Sequence, residues 1–216
     1  MKEPTLSKNI ICVFFLLLSS FYCKSPNQDK INKKTVFMGD SITEMWVQYS
    51  DFFELNKSFI NKGISGQTTP QMLERFENDV IKENTNTVVI LAGINDIAQN
   101  TGPISIEEIA NNIIKMSELA LNNNINVFIC SVLPAKKFMW NKSINPTYKV
   151  ISLNKLLKKY CKERSVNYIN YYSSMVDWGG GLKAPEYTSI WDLVHPNNKG
   201  YKIMEEILLE NIKKEL

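Results

Sequence analysis

His195 is the single histidine of this chain, and its side chain is the type best suited to move protons near neutral pH. Asp192 precedes it by three residues, a spacing that lets one turn of chain place both side chains on the same side. Ser41 stands far upstream, within Gly39-Asp40-Ser41. A serine hydroxyl becomes a nucleophile when a base accepts its proton, and a carboxylate on the other imidazole nitrogen fixes the tautomer of that base. These three residue types therefore predict acyl transfer.

Acyl transfer also needs hydrogen-bond donors for the oxyanion. Gly66 offers a backbone N–H at close approach because it has no side chain to block a substrate, and Asn95 offers its side-chain amide. Together with the Ser41 N–H they would form three donors, and losing one such donor typically slows the reaction by roughly a hundred- to a thousandfold.

Each of these residues also has a purely structural interpretation. Ser41 could cap a helix that starts near Thr43, Gly66 could be a turn glycine, and Asn95 could form an Asx turn. Asp192 could merely stiffen its own loop, and His195, next to Pro196, could be a satisfied structural residue. Taken together, the residues favour the catalytic interpretation.

Apolar strands alternate with amphipathic helices from residue 35 onward. The pattern predicts strands at 35–38, 58–61, 87–91, 127–132 and 167–170, and helices at 70–82, 106–121, 150–162 and 198–214. The strand at 87–91 is continuous and β-branched, which predicts a central position covered on both faces. Such alternation predicts an α/β fold, with a mostly parallel five-stranded sheet and helices on both faces.

Three of the candidate residues follow predicted strands directly, namely Ser41, Gly66 and Asn95. In parallel sheets, functional groups gather beyond the carboxyl ends of the strands. We therefore expect these residues to share one edge of the sheet.

The composition excludes several other classes of protein. The 216 residues suffice for one sizeable domain, and a net charge of +3 with scattered basic residues does not indicate a nucleic-acid surface. The spacing of the four cysteines suggests neither a zinc site nor a disulfide. Cys130 is expected in a buried strand and Cys161 in a helix. We expect no metal.

The N-terminus has the layout of an export signal. Lys2 and Lys8 precede an apolar run at 10–18 that is too short for an ordinary transmembrane helix, although an uncleaved anchor is the alternative. Cys23 resembles a bacterial lipoprotein site, but Phe21-Tyr22 departs from the small residues usual before it. We expect a signal peptide or lipoprotein signal at residues 1–23, a linker at 24–34 and one domain at 35–216. The localisation would be periplasmic, cell-surface or secreted.

Four sequence blocks stand in a fixed order along the chain. They are Gly39-Asp40-Ser41-Ile42-Thr43, Gly63-Ile64-Ser65-Gly66-Gln67-Thr68-Thr69, Gly93-Ile94-Asn95-Asp96 and Asp192-Leu193-Val194-His195-Pro196. In these blocks the chain resembles the SGNH hydrolases, also called GDSL esterases and lipases. The resemblance covers nearly everything from residue 35 to the end.

The resemblance implies a three-layer α/β/α sandwich of flavodoxin-like type and a serine esterase without metal or organic cofactor. It implies Ser41 as nucleophile, His195 as base and Asp192 as the partner of that base. It also implies an oxyanion hole, formed by Ser41, Gly66 and Asn95. Two positions depart from the family pattern: Gln67 replaces a frequent aspartate, and Leu193 replaces a common glycine beside the histidine.

The substrate is less clear from the sequence. We expect the loops at 134–148 and 173–190 to line the pocket, because they follow strands at the active edge. Their aromatic residues could stack on sugars, clamp acyl chains or pack the loops down. We expect an exported esterase that hydrolyses a short-chain O-acyl ester through an acyl-enzyme. The expected acyl group is acetyl, and the expected alcohol is a carbohydrate. Alternatives are a lysophospholipase or thioesterase, and a non-catalytic glycan-binding module. The expected partner is a small-molecule or glycan ester, with no nucleic acid, and with membrane contact only through a lipid on Cys23.

Overall fold

A parallel sheet forms the framework of the structure, a computed structural model that describes residues 34–213. Its strands are β1 (Thr35–Gly39), β2 (Phe59–Gly63), β3 (Thr87–Leu91), β4 (Asn126–Cys130) and β5 (Asn167–Ile169). They lie in the order β2-β1-β3-β4-β5, and every neighbouring pair is parallel. The predicted five-stranded sheet and the central position of β3 are confirmed. The predicted export signal, including Cys23, lies outside the described residues.

Helices cover both faces of this sheet. They are α1 (Ser41–Glu44), α2 (Trp46–Tyr49), α3 (Phe52–Leu55), α4 (Thr69–Phe76), α5 (Ile94–Ile97), α6 (Ile106–Asn122), α7 (Thr147–Arg164), α8 (Tyr172–Met175) and α9 (Asn198–Ile212), and a π-helical segment at Glu77–Ile81 continues α4. Helices α4, α6 and α7 pack together on one face, while α9 contacts α2 and β5 on the other. This is the expected α/β/α sandwich.

Three strands end level with one another. Gly39 of β1 lies opposite Gly63 of β2 and opposite Leu91 of β3. The chain leaves β1 toward β2 on one side and later returns to β3 on the other, which makes this end of β1 the switch point of the sheet. Open α/β sheets bind ligands in the crevice at such a point.

An aromatic cluster on the α9 face holds the segment that follows β1. The Trp46 ring stacks on Phe52 at a centroid distance of 5.5 Å and lies 5.3 Å from the Tyr201 ring of α9. The Tyr201 hydroxyl donates to the Ile42 carbonyl oxygen at 2.8 Å. Helix α9 therefore fixes α1 by packing and by a buried hydrogen bond.

Several element boundaries differ by one or more residues from the sequence prediction, and at two of them a side-chain amide takes part in the difference. β4 ends at Cys130 because the Val132 N–H, two residues on, donates to Asn154 Oδ1 at 2.8 Å instead of to a strand. α7 begins at Thr147, three residues earlier than predicted, and the Asn145 side chain accepts from the Thr147 N–H at 3.2 Å. In both places a side-chain amide supplies the backbone partner, which hydropathy patterns do not reveal.

Cys130 lies buried in strand β4 and Cys161 lies in helix α7, as predicted. Both are free thiols, and Cys161 is buried as well. Within residues 34–213 no helix is long and apolar enough to cross a bilayer. The same range contains no cluster of three histidine, cysteine or acidic side chains that could hold a metal ion.

Candidate active site

Ser41, His195 and Asp192 form a continuous line of hydrogen bonds. Ser41 Oγ lies 2.9 Å from His195 Nε2. His195 Nδ1 lies 2.9 Å from Asp192 Oδ2 and 3.0 Å from Oδ1. The structure thus brings together three predicted residues, two of which stand 154 positions apart in the chain. With Nδ1 protonated toward the carboxylate, Nε2 is free to accept the serine proton.

Ser41 is held at the first turn of α1. Asp40 is the N-cap of this helix, and its Oδ1 accepts from the Ile42 N–H at 2.9 Å. The interpretation of Ser41 as the cap is therefore wrong, because the helix begins one residue after Asp40, at Ser41 itself. Gly39 is required by close packing, since a β-carbon there would collide with Thr43 Oγ1.

The loop before α9 positions the Asp192–His195 pair. Besides holding the imidazole, Asp192 Oδ1 accepts the N–H groups of Val194 and His195 at 3.1 and 3.0 Å. This tight turn places Leu193 in the left-handed region, with φ at 70°. Glycine adopts that conformation without steric cost, which explains why the related family often has glycine here. Leu193 therefore alters the residue type of the loop without breaking the contact between imidazole and carboxylate.

The electrostatics of the line favour a basic imidazole. Burial opposes the charged form of His195, but the hydrogen bond and charge of Asp192, with a further contribution from Asp40, raise its pKa above the usual 6.5. Burial also opposes the charged form of Asp192, yet its bonds to His195 leave the pKa of that carboxyl below its usual value. Asp40 differs from both, because burial raises its pKa to about 7.

Three donor groups face the space next to Ser41. Within residues 34–213 neither the Ser41 N–H nor the Gly66 N–H has a hydrogen-bond acceptor. Gly66 lies in a turn closed by the Gln67 N–H on the Ile64 oxygen, with φ at 76°, so it is a turn glycine and an open donor at once. Asn95 lies inside α5 and uses one amide hydrogen on the Gln67 oxygen, at 3.1 Å. It forms no Asx turn, and its second amide hydrogen is free to point at a substrate.

Asn100 orients this amide, and sequence reasoning missed it. Asn100 Nδ2 donates to Asn95 Oδ1 at 3.0 Å, and Asn100 Oδ1 accepts from Trp140 Nε1 at 3.3 Å. The first bond fixes which end of the Asn95 side chain carries the donors. No motif marks Asn100, because its role depends on the path of the chain after α5.

Asp96 links the start of α4 to α5. It is buried, and it accepts from the Thr69 N–H at 2.9 Å and from Thr69 Oγ1 at 2.6 Å. The sequence placed Asp96 in a motif but gave it no role. The structure shows that it holds together the two segments that carry Gly66 and Asn95.

Arg75 connects the ends of two strands to the Gly66 turn. Its Nη2 donates to the backbone oxygens of Gly39 and Lys62 at 3.1 and 2.9 Å. Its Nε donates to Gln67 Oε1 at 2.6 Å. Gln67 stands where the family often has aspartate, and its side-chain oxygen accepts this hydrogen bond from the arginine. Because Gln67 also follows Gly66, this arginine fixes the backbone beside the open donor.

A cavity of about 390 Å³ opens over Ser41. The residues that line it are Ser41, Met45, Ser65, Gly66, Asn95, Asn100, Trp140 and His195. A second cavity of about 320 Å³ adjoins it on the histidine side, lined by Met139, Trp140, Trp191, Asp192 and His195. Both share Trp140 and His195.

The two aromatic loops contribute unequally. In the loop at 134–148, Trp140 lines both cavities, whereas Phe138 is fully buried in the core. The expectation for the loop at 173–190 is wrong, because no described residue of it lines either cavity. Trp178 instead borders a separate cavity of about 640 Å³ with Lys183 and Glu186.

Residues 37–203 match the family model described as the GDSL-like lipase/acylhydrolase family. The chain belongs to this family. The resemblance drawn from the four sequence blocks is confirmed, and membership places this GDSL-family protein among the carboxylic ester hydrolases.

Solved structures agree with this assignment. A GDSL-like lipase from Bacteroides thetaiotaomicron is 44% identical and superposes with a TM-score of 0.82, covering 87% of this chain and 91% of that one. An acetyl xylan esterase from Geobacillus stearothermophilus shares the fold at 19% identity, with a TM-score of 0.68 and coverage of 83% and 94%.

One curated relative also matches part of the chain. It is an acetylxylan esterase from Geobacillus stearothermophilus, 33% identical, and the match covers 30% of this chain. The chain spans about 40% of the length of that relative.

Proposed function

We propose that this protein is an exported serine esterase that forms an acyl-enzyme. Its substrate is a short-chain O-acyl ester, with acetyl as the acyl group and a carbohydrate as the alcohol. The observation that carries the proposal is the line from Ser41 through His195 to Asp192, with hydrogen bonds of 2.9 Å at each step. Open backbone donors on Ser41 and Gly66 lie beside the nucleophile.

The first half of the reaction forms the acyl-enzyme. Ser41 Oγ attacks the ester carbonyl carbon while His195 Nε2 takes the hydroxyl proton, and Asp192 stabilises the resulting imidazolium. The carbonyl oxygen becomes an oxyanion that accepts from the N–H groups of Ser41 and Gly66 and from the Asn95 amide. The carbon–oxygen bond to the alcohol then breaks, and His195 returns its proton to the leaving oxygen.

The second half releases the acid. A water molecule takes the place of the departed alcohol, and His195 accepts one of its protons as it attacks the acyl carbon. The same three donors hold the second oxyanion. The bond to Ser41 Oγ breaks, His195 protonates the serine, and the free carboxylic acid leaves.

The walls of the cavity over Ser41 support a short acyl group. Among the described residues that line it, only Met45 and Trp140 present large apolar side chains, and the rest are small or polar. A long acyl chain would gain little from such walls, since its binding depends on apolar area removed from water. Matches to acetylxylan esterases support acetyl on a sugar as the substrate.

Hydrolysis of p-nitrophenyl esters from acetyl to long-chain acyl tests the mechanism and the acyl preference. We expect activity on acetyl and butyryl esters only, and its loss in Ser41→Ala. Ser174→Ala is the matched control, because Ser174 is exposed on α8. Mass spectrometry of a reaction quenched early should find the acyl group on the peptide that contains Ser41. Retained activity in Ser41→Ala would refute the mechanism, and a preference for long chains would indicate a lysophospholipase instead.

Export is proposed from the sequence pattern of residues 1–23. Expression of the full chain in a bacterial host, followed by fractionation, should place the enzyme outside the cytoplasm, and removal of residues 1–23 should retain it inside. Labelled palmitate distinguishes the two kinds of signal. Incorporation that is lost in Cys23→Ala indicates a lipoprotein, and no incorporation indicates simple cleavage. Cytoplasmic retention of the full chain would refute export.

A further inference from the structure

The alcohol half of the substrate must leave on the histidine side of Ser41. His195 Nε2 protonates the departing oxygen, so that oxygen has to lie within hydrogen-bond reach of the imidazole. The oxyanion donors on Gly66 and Asn95 border the cavity over Ser41. The smaller cavity borders His195 and Asp192 but none of these donors. The two cavities thus correspond to the acyl and alcohol halves of an ester.

Two indole rings dominate the walls of this smaller cavity. As whole residues, Trp191 is 77% exposed and Trp140 is 49% exposed, which is unusual for residues of this size. Trp140 is held in place by the Phe138 ring at 5.0 Å and by its hydrogen bond to Asn100, and its ring lies 6.5 Å from the His195 ring. A fixed, exposed aromatic face next to the proton donor is suited to contact the leaving group.

The charges around this cavity restrict the chemistry of the alcohol. Among the described residues that line it, Asp192 is the one acidic side chain, and neither lysine nor arginine is present. A phosphate-bearing alcohol would meet no permanent cation there and would face the Asp192 carboxylate. A neutral sugar ring presents axial C–H groups that pack on an indole face and hydroxyl groups that remain in water.

We propose that Met139, Trp140 and Trp191 form the alcohol subsite and hold one neutral pyranose ring against the exposed indole faces. This subsite rests on the proposed esterase function and specifies which part of the substrate the enzyme selects. Trp191 is the main specificity-determining residue, because it directly precedes Asp192 and lines this cavity but not the one over Ser41.

The test compares a methyl O-acetyl-xylopyranoside with ethyl acetate, which delivers the same acyl group from an alcohol without a ring. We expect Trp191→Ala to lower the ratio of kcat/KM for the sugar ester over that for ethyl acetate by about tenfold, mainly through KM. Trp191→Phe should restore most of the ratio because it keeps a flat aromatic face. The matched control is Trp178→Ala, an exposed tryptophan outside both cavities, which should keep the wild-type ratio.

Several outcomes would overturn the subsite. Equal losses on both esters in Trp191→Ala, no recovery in Trp191→Phe, or the same effect in Trp178→Ala would each do so. A wild-type preference for the acetyl ester of a glycerol phosphate would also reject a neutral ring. A different result would show that the proposed esterase function is wrong. In that case Ser41→Ala would still hydrolyse ethyl acetate.

Discussion

Asn100 offers a demanding test of how the oxyanion donors are positioned. Its amide donates to Asn95 Oδ1 at 3.0 Å and therefore keeps the Asn95 NH₂ group turned toward the cavity. Asn100→Ala removes this bond and the one from Trp140 Nε1, but leaves Asn95 itself in place. We expect kcat to fall while KM for ethyl acetate, whose small alcohol has no ring to rest on Trp140, stays near its wild-type value, because the ground-state ester depends little on the donor.

The size of the effect follows from the bond that is lost. One hydrogen bond between neutral groups contributes about 1 kcal/mol, and if the transition state bears this whole cost the rate falls about fivefold. Removing the donor itself, in Asn95→Ala, should cost roughly a hundred- to a thousandfold. Because Asn100 acts through Asn95, the double variant should be no slower than Asn95→Ala alone.

Steady-state kinetics of the four proteins completes the double-mutant cycle. Asn123→Ala is the matched control, since Asn123 is an exposed asparagine with one side-chain bond, to the Leu119 oxygen, at the end of α6. Two results would refute the reasoning: losses that multiply in the double variant, or an Asn100→Ala effect confined to KM. Either would show that Asn100 contacts the substrate or acts independently of Asn95.

Three further predictions concern the loop that carries His195. First, kcat/KM should fall as the pH is lowered through a His195 pKa above 6.5, since the protonated imidazole cannot accept the Ser41 proton. A value of kcat/KM that stays flat down to roughly pH 5 would contradict a histidine base. Second, Asp192→Asn should lower kcat by about a thousandfold or more and should shift the acidic fall of the pH profile to lower pH. If that fall does not shift, Asp192 does not raise the pKa of His195. Leu193→Val should cost about 1 to 3 kcal/mol in the free energy of unfolding, measured by urea denaturation, because a β-branched residue is strained at positive φ. Leu193→Gly is its control and should stay within about 1 kcal/mol of wild type; equal losses in both would indicate lost side-chain packing instead.

The sheet was predictable because its strands carry strong local signals. β3 is β-branched at its first four residues and apolar at its last four, and all of its residues except Thr87 are buried. The predicted start of α6 at residue 106 is also confirmed, and there the structure adds a reciprocal cap between Ser105 and Glu108. Helices α1 to α3 were not predicted as separate elements, because helices of four residues are too short to show a periodic pattern.

The site residues that directly follow a strand, or that lie within one turn of each other, could be predicted from the sequence. Ser41, Gly66 and Asn95 reach one edge of the sheet because β1, β2 and β3 end in register. Their catalytic roles stay predictions until the variants are assayed. Asn100 and Trp191 could not have been assigned in advance. Their positions depend on how loops cross the sheet edge, and hydropathy carries no information about that path.

Arg75 gives the two halves of the cleft unequal freedom to change. It binds the backbone oxygens of Gly39 and Lys62 and the side chain of Gln67, so that the turn that carries the Gly66 donor is built on the ends of two strands. A substitution that moved this turn would disturb both strands at once. On the histidine side, the cavity walls include Trp191, an exposed side chain in a loop. Adaptation to new alcohols would therefore require few and local substitutions, whereas a change on the Gly66 side of the cleft would require rebuilding the framework.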